Sequence, residues 1–166
     1  MLIVCAGRSR SGSTLMYNLI RFTLIEAFGK SKVYGRGISF YKRKEERKYN
    51  IVKLHDSNNS YFYRNVNYVF SCDRNLKDQK KSIARHEKII KNKERPPDDL
   101  DKFIEYDYSR YKKWSGHKKF VKTFKYNQLV NNKELIIKEV SEILKLNISS
   151  DSITNVINEI DNMKPP

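Results

Sequence analysis

The sequence predicts an α/β fold in three layers, a parallel sheet with helices on both of its faces. Short apolar runs alternate along the chain with longer stretches of helical periodicity, the pattern of strand–helix–strand units. A turn rich in Gly and Ser joins the first apolar run directly to the first helix, which is the layout of a phosphate-binding loop. The 166 residues are 39% hydrophobic, enough for a real core within a single domain, 1–166.

The elements follow in order. Leu2-Ile3-Val4-Cys5-Ala6 is the first strand, and a helix over 14–28 follows the loop, with apolar residues at 15, 16, 19 and 20. Gly29 and Lys30 end that unit; residues 31–36 suit a short strand, closed by Gly37. The charge run 41–48 belongs on a solvated loop or helix. Residues 51–55 read as a second core strand, 56–60 as a turn, 68–72 as a third strand and 76–91 as a helix. Arg95-Pro96-Pro97 breaks the helix, and Asp98 and Asp99 suit the start of another over 98–114. A strand over 119–124, an amphipathic helix over 133–146 and a last helix over 151–160 complete the chain.

Net charge is +15, with Lys and Arg spread along the whole length. Such a field attracts anions, whether nucleotides, nucleic acid or acidic surfaces, without choosing among them. The first strand begins at residue 2 and no apolar run approaches the ~18 residues of a membrane span, so no leader and no transmembrane segment are expected. A soluble, cytoplasmic protein is the expectation. Cys5 and Cys72 fall in apolar runs and read as buried, reduced thiols, and no metal-ligand spacing is present.

The loop reads Gly7-Arg8-Ser9-Arg10-Ser11-Gly12-Ser13-Thr14. Its spacing is that of a Walker A loop, but Ser13 stands at the lysine position and a cation comes earlier, at Arg10. The Walker lysine serves the β- and γ-phosphates of a nucleoside triphosphate. A loop without it, with a cation ahead of Ser-Gly-Ser-Thr, resembles the 5′-phosphosulfate loop of sulfotransferases that use 3′-phosphoadenosine 5′-phosphosulfate (PAPS), which commonly reads P-[KR]-S-G-T-T. The proline is missing here. A Gly/Ser turn that merely joins strand to helix is the bland reading of the same residues.

Three further segments carry the resemblance, in the family's order. Lys53-Leu54-His55 stands at a strand end, where the family often has K-[TS]-H with the histidine as general base; the outer two residues match. Residues 74–82 resemble the family's 3′-phosphate motif, R-[ND]-x-x-[DE]-x-x-x-S, and Arg74, Asn75, Asp78 and Ser82 all match. Residues 124–130 resemble [RY]-Y-E-D-L in Tyr126 and Leu129 but not at Asn127 and Gln128. The family's tyrosine lies near the adenine, and a core role for Tyr126 fits equally well. Trp114 is expected in the core. His86 and His117 read as solvated. Tyr61, Phe62 and Tyr63 suit either an acceptor pocket or the core. The family's later R-K-G-x-x-G clamp is absent, and the chain is short for the family, which implies reduced acceptor-site lids.

The resemblance implies a P-loop-like sulfotransferase core. It implies sulfuryl transfer from PAPS to a hydroxyl or amine acceptor, with release of adenosine 3′,5′-bisphosphate and no metal. Arg10, Ser11, Gly12, Ser13 and Thr14 would hold the 5′-phosphosulfate, Arg74 and Ser82 the 3′-phosphate, and Tyr126 the nucleotide. His55 would be the base, with Arg10 and Lys53 at the reacting group. Two rivals remain. One is a P-loop kinase or NTPase, with Asp56 as the Mg²⁺-holding acid. The other is a basic nucleic-acid-binding module built on residues 42–48 and the scattered tyrosines, although no known nucleic-acid signature is present. A family member that binds nucleotide without chemistry is a variant of the first reading.

Overall fold

The computed structural model describes residues 1–55, 60–92 and 95–163. Strand β1 (Leu2–Gly7) passes through the loop into α1 (Ser13–Phe28). Then come β2 (Val33–Gly37), β3 (Tyr49–Leu54), α2 (Ser60–Asn65), β4 (Tyr68–Asp73), α3 (Leu76–Lys91), α4 (Pro97–Ser115) and β5 (Phe120–Lys125). Helices α5 (Tyr126–Asn131), α6 (Lys133–Leu144) and α7 (Ser150–Asp161) close the chain.

The helix ends have local causes. Gly12, at φ 102°, turns the chain into α1, and Gly29, at φ 85°, ends it with its N–H on the Ile25 carbonyl at 2.7 Å. The Asn75 side chain caps α3 by accepting from the Lys77 N–H at 2.9 Å. Asn92 stops the same helix in the left-handed region, φ 47°. Pro97 opens α4, with Asp98 and Asp99 in its first turn and Lys112 and Lys113 in its last, as the helix dipole favours. Ser149 caps α7 through the Ser152 N–H at 3.1 Å.

The sheet is wholly parallel, in the order β2-β3-β1-β4-β5. Val4 on β1 lies opposite Val52 on one neighbour and Val69 on the other. Strand alternation sends Ile3, Cys5, Ile51, Phe70, Cys72 and Phe124 to one face, packed on α1, α6 and α7. It sends Leu2, Val4, Ala6, Val52, Leu54 and Val69 to the other, with Phe62 and Val66 from the α2 region and Trp114 from α4. Both faces are covered, which explains why these strands are apolar runs and not polar/apolar alternations. The chain leaves β1 toward the β2 edge and leaves β4 toward the β5 edge. Their C-terminal ends, where Gly7 pairs with Cys72, therefore bound the crevice in which ligands of open α/β sheets bind. Among the described residues no helix is long and apolar enough to cross a membrane.

The structure corrects several expectations. The short strand begins at Val33, because 30–32 form a 3₁₀ turn. Strand β3 ends at Leu54, so His55 sits just beyond it. The expected turn at 56–60 lies outside the described residues except for Ser60, which begins α2. That short helix buries Phe62 and leaves Tyr63 exposed. Tyr126 lies on its own helix, α5, where Gln128 accepts from the Lys125 N–H at 3.0 Å. Helix α6 stops at Leu144, with Lys145 left-handed at φ 54°. His117 is buried and not solvated: Nε2 donates to the Tyr63 carbonyl at 2.9 Å and Nδ1 accepts from the Lys119 N–H at 3.0 Å.

Candidate active site

The loop between β1 and α1 is held from beneath. The Ser11 N–H and hydroxyl both donate to the Arg8 carbonyl, at 3.1 and 2.7 Å, and the hydroxyl also meets Cys72 Sγ at 3.1 Å. Ser11 is therefore fully buried and shapes the loop; its side chain does not face the crevice. Arg8 also turns inward. Its guanidinium pairs with Asp73 and donates to the Arg74 carbonyl at 2.8 Å. Burial favours the neutral Asp73, but Lys125, at 3.0 Å, and Arg8 outweigh it and hold the carboxyl below its usual range.

Two helices grip Ser9. From α4, the buried Asp107 accepts the Ser9 N–H at 2.7 Å; from α3, the buried Gln79 donates to the Ser9 carbonyl at 2.7 Å. Burial raises the Asp107 carboxyl above its usual value, opposed by the Ser9 bond and by the charges of His55 and Arg8. Arg10, between the two fixed ends of the loop, is left-handed at φ 60° and exposed. Its Nε donates to Ser82 Oγ at 3.3 Å.

A cleft of about 740 Å³ opens above the loop. Arg10, Gly12, Ser13, Thr14, Lys53, His55, Arg74, Ser82 and Tyr126 all line it. Of the residues assigned to the nucleotide or the reacting group, the structure thus brings all but Ser11 to the lining of one cleft. Lys53 Nζ donates to Thr14 Oγ1 at 3.1 Å; burial, with the charge of Arg10, lowers its pKa. Arg74 donates to the Arg10 carbonyl at 3.3 Å and stacks on Tyr126, 4.1 Å from guanidinium carbon to ring centre. The Arg74 Nε is buried with no hydrogen-bond partner among the described residues. His86, read as solvated, is half-buried and also lines the cleft.

The tautomer of His55 follows from one contact. Its Nδ1 meets the Gly7 carbonyl, which can only accept, so Nδ1 carries the proton and Nε2 keeps a lone pair. Burial lowers its pKa; the Gly7 bond and Asp107 partly oppose this, while Lys53 and Arg110 reinforce it. The imidazole of His55 is therefore neutral near pH 7, with Nε2 chemically able to accept a proton. Asp56 lies outside the described residues.

The sequence reading missed Arg8, Gln79 and Asp107. Gln79 sits inside the quoted 74–82 segment at an unspecified position. Asp107 lies in a helix dense with charge, where nothing local separates a buried carboxylate from a solvated one.

No protein-family model matches the chain, and no curated protein sequence matches it. Solved structures do. The chain is similar to the mouse sulfotransferase SULT7A1, solved with PAP, at TM-score 0.66 and 10% identity. It is also similar to a retinol dehydratase, solved with retinol and PAP, at TM-score 0.61 and 13% identity. Each match covers 96% of this chain but only 63% and 64% of those chains, so this one spans a little under two thirds of their length. These likenesses show the sulfotransferase fold.

Proposed function

We propose that the protein is a PAPS-dependent sulfotransferase that transfers a sulfuryl group to a hydroxyl or amine acceptor and releases adenosine 3′,5′-bisphosphate (PAP). One observation carries the reading: a single cleft holds two cationic side chains, Arg10 and Arg74, and a histidine whose Nε2 carries a lone pair. Arg10 stands on the loop, with Ser82 against its guanidinium and Arg74 against its carbonyl, and Ser13 occupies the place of a Walker lysine. That arrangement suits a nucleotide with phosphates at both 5′ and 3′ positions better than a triphosphate chain. The buried, unpartnered Nε of Arg74 is a donor waiting for an acceptor.

PAPS would supply the activated sulfuryl group. Arg10 and Thr14, at the start of α1, bind the 5′-phosphosulfate, and Gly12 lets the backbone wrap close to it. Ser13 completes that set, and Ser11 keeps its shape. Arg74 and Ser82 bind the 3′-phosphate. Tyr126, with Leu15, Ile160 and Met163 also in the lining, offers apolar surface to the adenine. His55 Nε2 takes the acceptor proton as the acceptor's oxygen or nitrogen bonds to sulfur and the bond to the bridging oxygen breaks. Arg10 offsets the charge that develops on that oxygen, and Lys53 assists beside it. The reading includes a cytoplasmic location, where the buried thiols of Cys5 and Cys72 stay reduced.

Calorimetry tests the proposal. PAP should bind without Mg²⁺ and ATP weakly, and PAPS should release PAP when a phenol panel is added. Strong, Mg²⁺-dependent ATP binding would overturn the reading and favour a kinase. Salt-sensitive binding of single-stranded DNA that competes with PAP would favour a nucleic-acid module.

A further inference from the structure

We propose that the face opposite the cleft, where the five parallel strands begin, binds single-stranded nucleic acid. Nothing in this inference depends on sulfuryl transfer. The strands enter the sheet side by side in the order β2-β3-β1-β4-β5, about 4.8 Å apart, so the outermost entries lie about 19 Å from each other. Cations line that row. Lys30 and Lys32 precede β2, and Arg47 and Lys48 precede β3. Arg64 precedes β4, and Lys118 and Lys119 precede β5. All seven are exposed. Arg47 ties the first two entries together by donating to the Lys30 and Val33 carbonyls, at 2.8 and 3.2 Å.

The same entries hold no acid. Segments 28–34, 47–50, 64–68 and 112–121 contain no Asp or Glu, in a chain with 19 of them. The acids nearest in sequence to the first two segments are turned to other partners. Glu26 accepts from Asn155 at 3.5 Å, Glu45 pairs with Lys42 at 3.4 Å, and Glu46 accepts from the Tyr61 hydroxyl at 2.6 Å. The helix dipole accounts for Lys112 and Lys113, in the last turn of α4. It does not account for Lys118 and Lys119, which lie beyond that helix, or for Arg47 and Lys48, which close no α-helix. A row of like charges gains its energy from an anion outside the chain. Where the row passes β4 and β5 it holds a groove of about 680 Å³, lined by Asn67, Tyr68, Lys118, Lys119, Phe120 and Val121. Tyr68 and Phe120 are half-buried there. Cations beside aromatic rings set in a groove are what single strands use, with phosphates on the lysines and bases on the rings. A membrane contact would instead call for apolar side chains that insert, and Val121 is only 37% exposed. The cleft lies at the other ends of the same strands, and the six residues of β1 set the two sites about 20 Å apart. A strand held here leaves the nucleotide cleft open.

Fluorescence anisotropy on the full chain, with a labelled oligothymidylate of about 12 nucleotides, tests this. Binding should weaken with salt and survive an excess of PAP. Lys118→Ala with Lys119→Ala should weaken it at least ~10-fold and flatten the slope of log K against log salt by about 1.4, the share of two phosphate contacts. The fold uses the backbone of Lys119, through the Val69 N–H at 2.9 Å and the His117 ring at 3.0 Å, so this variant should keep the wild-type Tm. Lys81→Ala with Lys102→Ala, exposed lysines on α3 and α4, should leave binding unchanged. An oligonucleotide that does not bind overturns the proposal. So does displacement by PAP, which would place the strand in the cleft, or an equal loss in the Lys81/Lys102 variant, which would make the attraction diffuse. Sedimentation with phosphatidylserine vesicles in the absence of oligonucleotide binding would replace it with a membrane surface. If PAP itself fails to bind, the sulfotransferase reading falls and this one is still decided by the oligonucleotide.

Discussion

The guanidinium carbon of Arg74 lies 4.1 Å from the centre of the Tyr126 ring. The two come from different elements, the end of β4 and the start of α5, and meet above Gly12. Stacking fixes the plane of the arginine before a ligand arrives, so less ordering remains for binding to supply. Arg74→Ala should weaken PAP by roughly 10- to 150-fold, equivalent to about 1.5–3 kcal/mol, and 5′-AMP much less. Arg74→Lys should not restore PAP, because a point charge replaces the planar fork. Calorimetry with both nucleotides checks this; equal losses would place Arg74 outside a 3′-phosphate site.

His55 keeps a lone pair on Nε2 because Nδ1 is committed to Gly7. His55→Ala should lower sulfuryl transfer by roughly 10²–10⁴-fold with PAP affinity nearly intact. Transfer assays on a phenol, paired with PAP titration, separate the two effects.

The lowered pKa of His55 sets the sign of two pH dependences. On the proposed mechanism His55 acts as a base when neutral, so kcat/KM should hold steady as pH falls to about 6.5 and decline only below it. The unfolded chain protonates its histidine near 6.5 while the folded chain resists. Stability should therefore fall as pH drops below about 6.5 and level off below the folded-state pKa. Urea unfolding at pH 7.5 and 5.5 should show this loss, reduced in His55→Gln.

Asp107 joins α4 to the loop through the Ser9 N–H. Asp107→Ala leaves that donor unpaired in a buried place and should cost about 1–3 kcal/mol in denaturant unfolding. Asp107→Asn keeps a carbonyl acceptor and should cost less. Both should weaken PAP, since the conformation of Arg10 depends on its fixed neighbour.

Gly12 combines φ 102° with a crowded neighbour: an added Cβ would stand 2.8 Å from Tyr126 Cδ2. Gly12→Ala should destabilise by roughly 1–3 kcal/mol and displace Tyr126. Thermal unfolding and PAP titration check it. A variant with unchanged Tm and affinity would show that the ring moves aside freely.

Much of the architecture was legible in the sequence because it is written in local signals. Helix α3 fell on its observed bounds, since Asn75 starts it, and the Pro96-Pro97 break follows it. Core strands were recognisable as apolar runs because a parallel sheet covered on both faces buries all of β1 and most of β3 and β4. The short helices α2 and α5 were not. Six residues hold too little periodicity to register, and packing of Phe62 and Leu129 decides them.

For the site, the sequence alone determined which chemistry-bearing residues exist and their order: a loop with Ser13 at the Walker lysine position and a cation earlier, at Arg10, then Lys53 and His55, then Arg74 and Ser82 at fixed spacing. Spacing survives in a sequence because each segment is a single strand-to-helix passage. Tertiary structure alone decided which side chains face the cleft. Ser11 and Arg8 sit in the same loop as Arg10 yet turn inward, and Asp107 arrives from a distant helix to hold Ser9. Those assignments depend on burial and on partners far away along the chain, and a carboxylate in a charged helix looks the same in sequence whether water or a loop N–H will receive it.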